Sequence, residues 1–93
     1  SNTMQVPGRA VVFGATGGIG AALVAELGAR GWRVAAGSRS GAQARGAEEA
    51  FAFDLDDEPT IAAAAAAFRA APPDLVLVAT GALTLPDGTG PEK

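Results

Sequence analysis

The sequence predicts an α/β fold built on a parallel sheet of about four strands, and two observations predict it. Short apolar runs of Val, Leu, Ala and Phe alternate along the chain with stretches whose apolar residues recur at helical spacing, which is the pattern of successive βαβ units. The first apolar run also stops at a cluster of glycines that opens directly into a helical pattern. With 93 residues and no internal repeat, the chain has room for one domain.

Ala10, Val11, Val12 and Phe13 form a continuous apolar run, as expected of a strand buried on both faces. From Gly18 the period changes. Ile19, Leu23 and Leu27 recur every four residues with Val24 beside them, predicting one apolar helical stripe, while Glu26 and Arg30 pair at i, i+4 on the outside. Gly31 supplies a left-handed cap for that helix. Trp32, Val34, Ala35 and Ala36 read as a second strand, and residues 37–46, small and polar, as a loop or one weak helical turn.

Phe51 and Phe53 alternate with Ala50 and Ala52 up to Asp54, which predicts a third strand. Asp56, Asp57 and Glu58 place negative charge at a helix start, and Pro59 fits only in that first turn. Ile61, Ala64, Ala65 and Phe68 share one face of an alanine-rich helix, which ends before Pro72 and Pro73. Leu75, Val76, Leu77, Val78 and Ala79 form a fourth apolar strand, and Pro86, Gly88, Gly90 and Pro91 break any period beyond it. Crossovers between such parallel strands are right-handed, and the doubly wound order 3-2-1-4 follows if the fold is a partial Rossmann fold.

Composition excludes several function classes. The formal charge of -3 comes without a basic cluster, so no nucleic-acid surface is expected. The chain has no cysteine and no histidine, which removes disulfides, a thiol nucleophile and the commonest metal ligands; no metal site is expected. No apolar run nears the roughly 20 residues that span a bilayer, so no membrane partner and a cytoplasmic location are expected. Ser1, Asn2 and Thr3 before Met4 read as a tag remnant, residues 4–85 as the nucleotide-binding portion, and residues 86–93 as a loop leading to a C-terminal half not contained in this chain.

Gly14, Ala15, Thr16, Gly17, Gly18, Ile19 and Gly20 stand between the first strand and the first helix, where a diphosphate meets a helix N-terminus. Gly14 permits a tight turn, Gly17 or Gly18 lets the backbone approach phosphates, and Gly20 allows the helix to pack closely on the sheet. The binding residues expected here are Gly14, Thr16, Gly17, Gly18, Ile19 and Gly20. A glycine-rich turn without a ligand is the alternative, at a cost in backbone entropy.

These residues resemble the short-chain dehydrogenases/reductases. Their loop, Thr-Gly-x-x-x-Gly-x-Gly, matches Gly14, Gly18 and Gly20, with Phe13 in place of the threonine. Gly14, Gly17 and Gly20 equally match the Gly-x-x-Gly-x-x-Gly spacing of the extended and atypical branches. The resemblance covers residues 9–85. It implies a nicotinamide dinucleotide as cofactor and, in the complete protein, hydride transfer between nicotinamide and a carbonyl or alcohol.

At the end of the second strand, about 20 residues after the loop, an NAD-preferring fold usually has an acidic residue for the ribose hydroxyls. This chain has Ser38 and Arg39, which suit a 2′-phosphate and adenine stacking, so NADP(H) is expected in preference to NAD(H). Arg39 as a plain solvated charge is the alternative. The resemblance implies that Asp54 and Leu55 contact adenine, although Asp54 also reads as one of a capping cluster with Asp56 and Asp57. It further aligns Val78, Ala79, Thr80 and Gly81 with Asn-Asn-Ala-Gly, retaining only the glycine, so that Ala79, Thr80 and Gly81 pass beside the ribose.

The resemblance implies catalysis by a tyrosine with a nearby lysine, a serine and an asparagine. This chain has no tyrosine, and its only lysine is Lys93, so no catalytic residue is assigned within it. The leading expectation is the cofactor portion of an NADP(H)-dependent oxidoreductase. A non-catalytic dinucleotide-binding module or sensor is the second. A methyltransferase-like fold is disfavoured by Ser38, and a phosphorelay receiver by Phe13 and Gly14 where acidic residues would stand. The apolar fourth strand at a sheet edge implies coverage by a further strand or by a second copy of the chain, hence a dimer or other homo-oligomer.

Overall fold

The structure, a computed structural model, describes residues 7–79. Six elements follow in order: β1 Arg9–Phe13, α1 Gly18–Ala29, β2 Arg33–Ser38, β3 Glu49–Ala52, α2 Glu58–Ala70 and β4 Leu75–Val78. The four strands form one sheet in the order β3-β2-β1-β4, with every neighbouring pair parallel, as the α/β alternation predicts.

Strand alternation gives the sheet two different faces. Ala10 and Val12 of β1 join Val34 and Ala36 of β2, with Leu75 and Leu77 of β4 packed beside them, against Val24 and Leu27 of α1. Val12, Val24 and Ala36 are fully buried there. Complete burial of a valine contributes about 1.5–3 kcal/mol, so this small layer anchors the fold. On the opposite face Phe13 gathers the aromatic residues, its ring lying 4.6 Å from Phe53, 6.0 Å from Phe51 and 6.0 Å from Phe68 of α2. Each such pair adds about 0.5–1.5 kcal/mol beyond its buried area.

Several elements differ in detail from the sequence expectation. β2 continues through Gly37 and Ser38, which by sequence belong to the following loop. Gly37 pairs with Phe13 and Phe51 across the sheet, and a Cβ on it would lie 2.7 Å from Phe51 Cζ and 3.3 Å from Phe13 Cδ1. A residue read as a strand breaker is thus the gap into which two aromatic rings fit. Trp32 precedes β2, and Phe53 follows β3.

The helical period places Ile19 on the packed stripe of α1, but it is 73% exposed; the buried residues of α1 are Gly20 and Val24, so the packed stripe starts one residue further on. On α2 only Ala64 is buried, and Ala65 is exposed. Other expectations are realised as drawn. Gly31 has a φ of 93° after α1, Arg30 Nε donates to Glu26 Oε2 at 2.6 Å, and Pro59 stands in the first turn of α2.

No helix runs between β2 and β3. The segment that joins them lies against α1 instead, with Ala44 and Ala47 packed on the α1-side core. Gly46 adopts a φ of 94°, and a Cβ there would come within 2.8 Å of the Val24 carbonyl oxygen. The backbone of this loop therefore rests directly on the backbone of α1. Gln43 Nε2 donates to the Ala47 carbonyl at 2.9 Å and closes the turn.

Candidate functional site

Because all four strands run in one direction, their C-terminal ends bring four connecting segments to a single edge of the sheet. Gly14–Gly20 follow β1, Ser38 and Arg39 end β2, Asp54 and Leu55 follow β3, and Ala79 follows β4. α1, which follows β1, and α2, which leads into β4, pack on opposite faces of the sheet, so the edge between these two neighbouring strands is a topological switch point, the place where ligands bind in open α/β sheets.

The glycine loop is shaped by two close backbone contacts. Gly14 has a φ of 80°, and its N–H and that of Ala15 both donate to the Gly37 carbonyl, at 2.8 and 3.1 Å. The turn is thus tied to the end of β2. At Gly20 any Cβ would overlap the Gly14 carbonyl oxygen, so the side-chain-free position lets α1 start tightly against the turn.

Gly17 and Gly18 answer to a different constraint. A Cβ on Gly17 would make only ordinary contact, at 3.8 Å from the Gly14 oxygen, and one on Gly18 would meet nothing within 4 Å. Neither glycine is required by packing within the described residues, yet glycine at a helix start gives up side-chain capping and backbone entropy. Gly17 is the N-cap of α1 with no side-chain cap, and the first turn contains no acidic residue. The first N–H groups of a helix have no intrahelical acceptor, and here they point out beside exposed Thr16, Gly17, Gly18 and Ile19. Donors without a cap, a positive dipole end and open space above two glycines fit the diphosphate of a dinucleotide.

The second strand end is more restricted. Ser38 is 5% exposed, and its Oγ accepts the Gly41 N–H at 3.1 Å, while its carbonyl accepts from Phe53 at 2.8 Å. Its hydroxyl holds the loop after β2 in place. Arg39 beside it is exposed. At the third strand end, Asp54 Oδ1 accepts the Asp56 N–H at 2.9 Å, and the Thr60 hydroxyl accepts the Asp54 N–H at 2.9 Å. The Asp54 carboxylate therefore shapes the turn before α2, while Leu55 is 75% exposed. The Ala79 N–H donates to the Phe13 carbonyl at 2.8 Å, which sets the start of the fourth segment immediately beside the glycine loop. Thr80 and Gly81 lie outside the described residues.

Two residues of this region were not anticipated. Gln43 and Arg45 line a groove of about 520 Å³ together with Ala15, Thr16, Ala21 and Ala25, between the first turns of α1 and the loop after β2. The sequence carries no motif for them; only the Gly46 contact, which folds the loop back onto α1, brings Arg45 to this position. Phe13, the residue in place of the threonine, turns into the aromatic cluster on the α2 face and serves packing.

A family model described as the NAD dependent epimerase/dehydratase family matches residues 10–88. No curated protein and no solved structure gives a significant match. Among the described residues, no group of His, Cys, Asp and Glu is placed to hold a metal ion, and no helix is long and apolar enough to cross a membrane.

Proposed function

The chain belongs to the NAD dependent epimerase/dehydratase family, and from that premise we propose that its glycine loop holds the diphosphate of NADP(H) within an oxidoreductase of the short-chain dehydrogenase/reductase type. The observation that carries this reading is the pair Gly17 and Gly18, which leave space above the uncapped start of α1. In this arrangement Gly14 and Gly20 shape the turn, the first N–H groups of α1 receive the phosphates, and Thr16 and Ile19 flank them. Leu55 offers an exposed apolar surface for adenine, with Asp54 beside it, and Ala79, Thr80 and Gly81 pass next to the ribose. The bound dinucleotide supplies hydride transfer to or from a carbonyl or alcohol; these residues bind and orient it.

The preference for NADP(H) rests on the residues at the end of β2. Arg39 is exposed and free of ion pairs among the described residues, and no acidic side chain stands at Ser38 to receive ribose hydroxyls. Arg45, facing the loop from the other side of the groove, adds a second cation.

A homo-oligomer through β4 belongs to the same reading, as does a cytoplasmic location. β4 is an edge strand, and Val76 and Val78 on it are 47% and 66% exposed. Calorimetric titration of the chain with NADPH and NADH tests the proposal. Binding of NADPH at least tenfold tighter than NADH is the expected result. Tighter NADH binding overturns the preference, and no heat with either overturns the cofactor.

A further inference from the structure

Leu55 stands at the outer corner of a turn whose base is held by Thr60. The Asp57 N–H donates to the Asp54 carbonyl at 2.9 Å, which closes residues 54–57 into a β-turn with Leu55 and Asp56 at its corner. The Asp54 carboxylate accepts the Asp56 N–H at 2.9 Å across that turn. Half-buried Thr60, in the first turn of α2, completes the frame. Its hydroxyl accepts the Asp54 N–H at 2.9 Å and lies 3.0 Å from the Asp54 carbonyl oxygen and 2.6 Å from that of Asp57, so its one proton can be donated to either. A single side chain thus ties together the two ends of the turn.

This frame fixes the backbone of Leu55, although its side chain is 75% exposed and contributes little to packing. The turn lies beside the end of β2: Ser38 pairs with Ala52, and the Phe53 N–H donates to the Ser38 carbonyl at 2.8 Å. Exposed Arg39 and exposed Leu55 therefore leave adjacent strand ends at one edge of the sheet. Asp56, Asp57 and Glu58 are exposed at the same turn, and their charges oppose phosphate there. An uncharged planar base suits this place, since a leucine offers it an apolar surface and a guanidinium stacks on its face.

We propose that, given the dinucleotide reading of this edge, Thr60 is a positioning residue for the adenine: its hydroxyl holds the turn that presents Leu55 to the base. It acts through Leu55 and leaves the diphosphate at the glycine loop untouched.

The probes are adenosine 5′-diphosphate and inorganic diphosphate, which share the phosphates and differ in the adenosine. Calorimetry compares them on the unaltered chain, Thr60→Val, Thr60→Ser, Leu55→Ala, and Leu55→Ala combined with Thr60→Val. Thr60→Val keeps the shape and removes the hydroxyl; it is expected to weaken the adenosine probe at least fivefold and inorganic diphosphate less than twofold. Thr60→Ser restores the hydroxyl and is expected to keep the adenosine probe within twofold of the unaltered chain. In the Leu55→Ala background, Thr60→Val is expected to cause less than a twofold further loss, because the two residues act as one unit. Full affinity for the adenosine probe in Thr60→Val, equal loss of both probes, no rescue by Thr60→Ser, or an undiminished fivefold loss in the Leu55→Ala background overturns the proposal. If circular dichroism finds Thr60→Val unfolded, hydrogen exchange on the unaltered chain decides it. The adenosine probe is then expected to slow exchange of the Asp54 and Asp57 N–H groups at least fivefold more than inorganic diphosphate does, and equal slowing overturns the proposal. An unaltered chain that binds neither probe overturns the dinucleotide reading and the role of Thr60 together, whereas any of the other adverse results, with diphosphate still bound, overturns the role of Thr60 alone.

Discussion

The Gly14 carbonyl oxygen occupies the space that a side chain on Gly20 would need. One turn of chain thus closes on the start of α1 with backbone against backbone, and the N–H groups beyond it are left facing outward. A methyl group at residue 20 forces the turn and the helix apart. Gly20→Ala is expected to cost about 1–3 kcal/mol of stability, as overpacking does, and to weaken NADPH binding at least tenfold. Thermal denaturation and calorimetry on the same preparation check both effects.

Gly18→Ala separates folding from binding at the same loop. A Cβ there meets nothing within 4 Å, so alanine is accommodated and gains about 0.4–1 kcal/mol by restricting the unfolded chain. The methyl group nevertheless stands where phosphate would approach. A raised melting temperature combined with NADPH affinity reduced tenfold or more is expected; unchanged affinity would show that no ligand comes near this glycine.

Arg39 is exposed, so its removal leaves stability within about 0.5 kcal/mol. Arg39→Ala is expected to lower NADPH affinity at least tenfold and NADH affinity by no more than a factor of two to three. Parallel titrations with both dinucleotides provide the test. Arg45→Ala is expected to act in the same direction with a smaller effect.

Gly46→Ala addresses the loop that takes the place of a helix between β2 and β3. With a φ of 94° and a Cβ within 2.8 Å of the Val24 oxygen, alanine is both strained and crowded there. A loss of about 2–4 kcal/mol is expected, combining left-handed strain with overpacking. Chemical denaturation measures it, and a loss below about 0.5 kcal/mol, the range of neutral surface changes, would argue against the close approach of loop and helix.

Val78→Lys tests the edge strand. The side chain is 66% exposed, so the substitution spares the core, while a lysine on an edge opposes strand-to-strand pairing. Sedimentation is expected to find the unaltered chain self-associated and the variant monomeric with the same circular dichroism. A monomeric unaltered chain would remove β4 as a contact between copies.

The strands were legible because each strand of a sheet covered by helices is a short apolar run, and here each run is bounded by glycine, proline or acidic residues; their order β3-β2-β1-β4 followed only from the Rossmann-like reading. The glycine loop was legible because its position between β1 and α1 is a one-dimensional property. What stayed hidden depends on contacts distant in sequence. Gly37 reads as a break until Phe13 and Phe51 are seen on either side of it, and Ile19 fits the helical period although the buried stripe of α1 runs through Gly20 and Val24. The bond by which the Ser38 hydroxyl accepts the Gly41 N–H is likewise invisible in the sequence. Arg45 carries no local signal, since only the resting of Gly46 on α1 brings it beside Thr16.

The seat of Gly46 on α1 also separates two kinds of inheritance in this segment. Its attachment to the body of the protein is made by main chain at Gly46 and by the small side chains of Ala44 and Ala47, while exposed Arg45 borders the groove. Substitution at Arg45 can therefore alter the charge and size of one wall of the groove while the platform beneath it keeps its shape.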